Sequence, residues 1–75
     1  MQLETLLTAV LDVEPGTVTS ESAAGELTAW DSLAHLSVVA ALEETYGLSF
    51  SMAEMGELRS VPAIRSFLGA RSIVA

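Results

Sequence analysis

The chain contains no cysteine and no lysine, and it has one histidine and two prolines. Without cysteine it can form no disulfide or thiolate-rich metal site, and its own side chains supply no thiol nucleophile. With His35 as the sole imidazole, the other candidate metal ligands are carboxylates, and none shows zinc-type or calcium-loop spacing. No metal site is therefore expected. The glycines are scattered, so nothing resembles a loop that cradles phosphate. Ten acidic residues face three arginines, giving a formal charge of -7. Such a surface repels nucleic acid and anionic membranes, and suits partners with basic patches. The longest strictly apolar run, Val38 to Leu42, is far too short to span a bilayer. Met1 to Val10 carries Glu4 and no basic residue, unlike a secretory signal. A cytoplasmic protein is expected.

What is present is enough apolar material for one packed core: 75 residues, 51% of them hydrophobic, expected to form one domain over residues 1–75, a monomer. Leu3, Leu6, Leu7, Val10 and Leu11 form one stripe of an amphipathic helix from about Gln2 to Asp12. Pro15-Gly16 opens a turn, and Thr17 to Ala29 has no sustained periodicity. A loop of that length needs anchors, and Val18, Leu27 and Trp30 are the candidates, with Trp30 read as a plug at the edge of the core. Asp31 is placed to cap a second helix running to about Tyr46, with Gly47 just past its end. The apolar positions of that helix cover more than one face. The excess predicts a second, narrower strip around Leu33, Leu36 and Ala40, beside an exposed acidic side at Glu43 and Glu44. Leu48 and Phe50 read as inward-pointing loop anchors. Ser51 and Glu54 fit a capping box opening a short helix through about Leu58, and Ser60 caps a last helix with Pro62 in its first turn. Val61, Ile64, Phe67 and Leu68 supply the buried stripe of that helix. Arg65 and Arg71 are expected in solvent, and the tail Ile73-Val74-Ala75 is expected to fray. The fold class is therefore all-α, a small bundle of three main helices plus one short helix.

Ser32 is the chemically interesting residue. It falls at the first helical position after Asp31, where unpartnered backbone N–H groups and the helix dipole favour a phosphate. On position alone, a helper in capping is the simpler reading. Ser32 and His35 share a helix face at i, i+3, which raises a Ser-His hydrolase. A lone histidine, the lack of an orienting carboxylate beyond the cap and the lack of room for a cleft weigh against it.

The run Asp31-Ser32-Leu33, followed by Leu36, Leu42-Glu43-Glu44 and Tyr46-Gly47-Leu48, resembles the acyl carrier protein family. With Ser60-Val61 and Ile64 opening the last helix, the likeness covers nearly the whole chain. It implies that Ser32 is the attachment point for 4'-phosphopantetheine, delivered from coenzyme A by a phosphopantetheinyl transferase using magnesium. The reactive sulfur then arrives with the arm, in keeping with the missing cysteine. The resemblance further implies that Asp31 helps to position the metal-bound phosphate. Leu33, Leu36 and Ala40 would be apolar contacts for partner enzymes that load and transfer acyl groups, and Glu43 and Glu44 would meet their basic docking patches. Ala34 and Ser37 stand where fatty-acid-synthesis carriers usually have acidic residues. Trp-Asp-Ser-Leu-x-His-Leu looks more like stand-alone carriers of specialised pathways, such as polyketide, glyceryl or aminoacyl carriers. The alternative is an acidic helical interaction module with no covalent arm.

Overall fold

A computed structural model of the chain describes residues 2–74. Met1 and Ala75, the outermost residues of the expected domain and of its fraying tail, lie outside them. The elements are α1 (Leu3–Leu11), α2 (Ser32–Tyr46), α3 (Met52–Glu57) and α4 (Val61–Ala70). Among the described residues there is no strand, only an isolated bridge between Ala23 and Ser60. The expected fold class is the observed one.

The helices begin and end for identifiable local reasons. Asp31, Ser51 and Ser60 each accept a hydrogen bond from the backbone N–H three residues on, meeting one of the donors left over at a helix start. In α3 the capping box is complete, because Glu54 also accepts from the Ser51 N–H at 2.8 Å. α1, α2 and α4 stop where the backbone turns left-handed, at Asp12, Gly47 and Ser72. In each case the next residue donates back, Val13 to Thr8, Leu48 to Glu43 and Ile73 to Leu68, the closing bond of a Schellman turn. In the tail, the Ile73 side chain also packs on the core.

α1 packs on both α2 and α4, and the leucine stripe of α1 meets Val38, Val39 and Leu42 of α2 and Val61, Ile64 and Leu68 of α4 in one apolar cluster. The long connection from α1 to α2 is held by that cluster and by backbone bonds. Val18 and Ala24 are buried and Leu27 packs beside them. The Ala24 N–H donates to Arg59 O, and the Val61 N–H donates to Ser22 O, both at 2.8 Å. The loop is thus stitched to the α3–α4 link.

One expectation about charged residues is corrected, and a second is refined. Arg65 does not stand in solvent: it makes a bidentate pair with Glu4, Nη1 to Oε2 at 2.8 Å and Nη2 to Oε1 at 2.7 Å, tying α4 to α1. Arg71 is exposed as expected, but it lies 3.6 Å over the Phe67 ring and donates to Glu54 at 3.1 Å. Phe67 in turn meets Phe50 edge to face at 5.2 Å. The Arg71 guanidinium plane covers an aromatic face while its edge stays free to hydrogen-bond.

Candidate functional site

Ser32 opens α2 as expected, and the geometry separates it from the capping role. The cap is Asp31, whose Oδ1 accepts from the Ala34 N–H at 2.8 Å, while the Asp31 carbonyl takes the His35 N–H at 2.9 Å. The Ser32 side chain is exposed, and among the described residues its hydroxyl has no hydrogen-bond partner. The backbone N–H groups of Ser32 and Leu33 likewise have no acceptor there, as expected for the first turn of a helix. The first turn of α2 contains no acidic residue. An exposed hydroxyl beside unpaired donors at the positive end of a fifteen-residue helix is a place where helix geometry favours an attached phosphate, the Asp31 carboxylate of the cap being the acidic group beside it.

Beyond Ser32, one side of α2 is open. Leu33 is 76% exposed and Leu36 is 60% exposed, and Ala40 and Glu44 are exposed as well. Their spacing of three and four residues places them in one line along the helix. This is the second strip anticipated from the sequence. Glu43 departs from it: its carboxylate is half-buried and accepts the Phe50 N–H at 2.9 Å. It fastens the α2–α3 loop, so Glu44 carries the free charge at this end.

His35 is the residue that sequence reasoning placed least well. It is buried, not at a surface, and both of its ring nitrogens are engaged. Trp30 Nε1 lies 3.0 Å from His35 Nδ1, and His35 Nε2 lies 2.8 Å from the Met55 carbonyl oxygen. An indole N–H can only donate and a carbonyl can only accept. Nδ1 must therefore be the acceptor and Nε2 must carry the proton. A ring committed in this way cannot take a proton from Ser32, which removes the Ser32–His35 pair as a hydrolytic dyad. Trp30 is fully buried, a core member instead of an edge plug, and its indole has its partner in His35. The signal for this in the sequence was the pair Trp30 and His35 flanking the helix start, but nothing there indicates that one bonds to the other.

One concavity lies elsewhere. A groove of about 290 Å³ between α1 and the following turn is lined by Glu4, Thr5, Thr8, Pro15, Gly16 and Val18, and contains none of the candidate residues. Among the described residues, no group of three or more His, Asp or Glu side chains is placed to hold a metal. No described helix is long and apolar enough to cross a membrane.

These features define a class: a small four-helix domain that presents a serine at the start of its longest helix. Neither the family models nor the curated proteins compared with the chain gave a match. Among solved structures, the solution NMR structure of a holo acyl carrier protein from Geobacter metallireducens is similar, with a TM-score of 0.77 and 29% sequence identity over 93% of this chain and 84% of that one. The chain is thus similar to an acyl carrier protein in fold and over nearly its whole length.

Proposed function

We propose that this protein is a non-catalytic acyl carrier whose Ser32 bears 4'-phosphopantetheine. The observation that carries the reading is the exposed, unbonded Ser32 hydroxyl at the start of α2, relieved of capping by Asp31. In loading, the Ser32 hydroxyl would give its proton to a base of the transferase and its oxygen would bond the pantetheine-side phosphorus of coenzyme A, while the pyrophosphate bond breaks and 3',5'-ADP leaves. The transferase supplies the general base and magnesium, and Asp31 helps to place the metal-bound phosphate. The free N–H groups of Ser32 and Leu33 and the α2 dipole hold the resulting negative charge. When bound, the arm supplies a thiol that carries acyl or related groups as thioesters, chemistry this cysteine-free chain lacks.

Leu33, Leu36 and Ala40 form the apolar centre of the surface that loading and transfer enzymes meet, and Glu44 supplies its acidic rim, facing basic patches. Glu43 contributes to the field there while its carboxylate serves the loop. A net charge of -7 speeds such encounters. The neutral positions Ala34 and Ser37 favour a specialised pathway, such as polyketide biosynthesis, over the acid-rich docking of fatty acid synthesis. A cytoplasmic, monomeric carrier passing between separate enzymes fits these features.

The test is loading in vitro. Protein incubated with coenzyme A, magnesium and a broad-specificity phosphopantetheinyl transferase should gain one phosphopantetheinyl group by intact mass, and Ser32→Ala should gain none. An unmodified wild type, with a known carrier loaded in the same tube, would return the chain to the reading of an interaction module without an arm.

A further inference from the structure

α3 is held unusually. It is a six-residue helix in which no residue is buried, so its own side chains contribute little burial to keep it in place. Beyond the partly buried Met55 side chain packed on the core, three attachments hold it. Leu58, just past its end, is buried in the core. Glu54 is gripped by Arg71 from the end of α4. The third comes from the site helix itself: the Met55 carbonyl, in the middle of α3, accepts from His35 Nε2. His35 lies one helical turn beyond Ser32, and its other nitrogen is held by Trp30, two residues before Ser32. The Trp30 and His35 ring planes are 28° apart with centroids 6.1 Å apart, the side-by-side placement that the Nε1–Nδ1 bond requires.

We infer that His35 is a positioning residue that holds α3 in register with the Ser32 helix, through a relay from the Trp30 indole to the Met55 carbonyl. The inference rests on the carrier reading only for its consequence. α3 begins with Met52, which is 86% exposed one turn before Met55, and a partner that docks on Leu33 and Leu36 also meets whatever α3 presents. The relay fixes where Met52 stands relative to Ser32. A single neutral imidazole is suited to this because it accepts at one nitrogen and donates at the other, and each neighbour offers only the complementary role. The bond to Met55 is partly buried, where losing one partner strands the other.

The two halves of the relay can be separated by substitution. In His35→Gln the side-chain amide reaches as far as Nε2 and can still donate to Met55 O. In His35→Asn it reaches only as far as Nδ1, keeping the Trp30 side and losing α3. Backbone amide shifts of residues 52–57 should stay near wild type in His35→Gln and move in His35→Asn. The KM of the loading transferase should be roughly tenfold higher for His35→Asn than for His35→Gln at similar kcat, the scale of misplacing one well-packed contact. Equal α3 shifts in the two variants, or KM values that follow thermal stability alone, would overturn the inference. In the unmutated protein the ¹⁵N spectrum of the imidazole should show a protonated Nε2 and a bare Nδ1. The opposite tautomer overturns the relay with no variant needed. A failure of the carrier reading shows separately, as wild type that takes no arm.

Discussion

Leu42 and Ser32 lie ten residues apart on the same helix, and the structure assigns them opposite duties that substitution can separate. The Leu42 side chain is fully buried at the centre of the cluster joining α1, α2 and α4. Leu42→Ala removes three carbons from that cluster, a transfer loss of about 2.4 kcal/mol at ~0.8 kcal/mol per buried CH₂. The cavity left behind raises the total to roughly 2–5 kcal/mol, depending on how far the neighbours relax. A domain of this length has about 4–11 kcal/mol in all, at roughly 0.05–0.15 kcal/mol per residue. The variant should therefore melt about 10 °C or more below wild type, with a lower urea midpoint and little change in m. Ser32→Ala should do almost nothing to stability. Its hydroxyl is unbonded and exposed and the cap belongs to Asp31, so the change should fall within about 0.5 kcal/mol. Urea unfolding followed by far-ultraviolet circular dichroism measures both. A Leu42→Ala cost under about 1 kcal/mol would mean the core is misidentified. A Ser32→Ala cost above about 1 kcal/mol would mean that Ser32 is a structural cap and that its availability for modification has been misjudged.

Asp31→Ala should cost about 1 kcal/mol in the same urea experiment, the usual loss for an N-cap, and an unchanged midpoint would argue against the Asp31–Ala34 bond. The Tyr46 hydroxyl is buried with no partner, so Tyr46→Phe should be neutral or stabilise the fold by up to ~1–3 kcal/mol; a clear loss of thermal stability would show that the hydroxyl is satisfied in solution. The bidentate hydrogen bond from Arg65 holds the Glu4 carboxyl below its ordinary value of 4.5, against a smaller opposing effect of burial. A lowered carboxyl contributes stability that is present above the unfolded value and lost as pH falls through the folded one. Glu4→Gln should accordingly cost at most ~1 kcal/mol at pH 7, the pair being partly exposed. Its melting curve should converge with that of wild type as the pH drops well below 4.5, and a gap that persists in acid would assign the effect to packing. The Glu54 carboxyl is also lowered, chiefly by the Ser51 N–H and hydroxyl and then by Arg71, so Glu54→Gln should show the same acid convergence.

Much of this fold was legible because it is local. The leucine stripe of α1, the caps at Asp31, Ser51 and Ser60, and the glycine after Tyr46 are short-range signals, and each produced the element it promised. What was missed depends on contacts between distant residues. Asp12 and Ser72 end their helices in the left-handed conformation without being glycine, because neighbouring backbone bonds hold them there. The apparently featureless loop is ordered by hydrogen bonds that Ser22 O accepts from Val61 and the Ala24 N–H donates to Arg59, which no periodicity announces. Glu43 and Arg65 read as solvated charges because charge pattern says nothing of a loop N–H folded back on one or a glutamate 61 residues away from the other. At the site, Ser32 and the strip of Leu33, Leu36 and Ala40 were visible from helix phase. His35 was not, because its role is set by an indole and a carbonyl that only the folded chain brings to its two nitrogens.

The central claim is that Ser32, among the serines at positions 20, 22, 32, 37, 49, 51, 60, 66 and 72, is the one built to carry the arm. Fragmentation mass spectrometry of the transferase-treated protein tests it most directly. The account requires the phosphopantetheinyl group on the peptide containing Trp30-Asp31-Ser32-Leu33, with fragment ions placing it on Ser32. The group on any other serine, or no modified peptide beside a loaded control carrier, would contradict it.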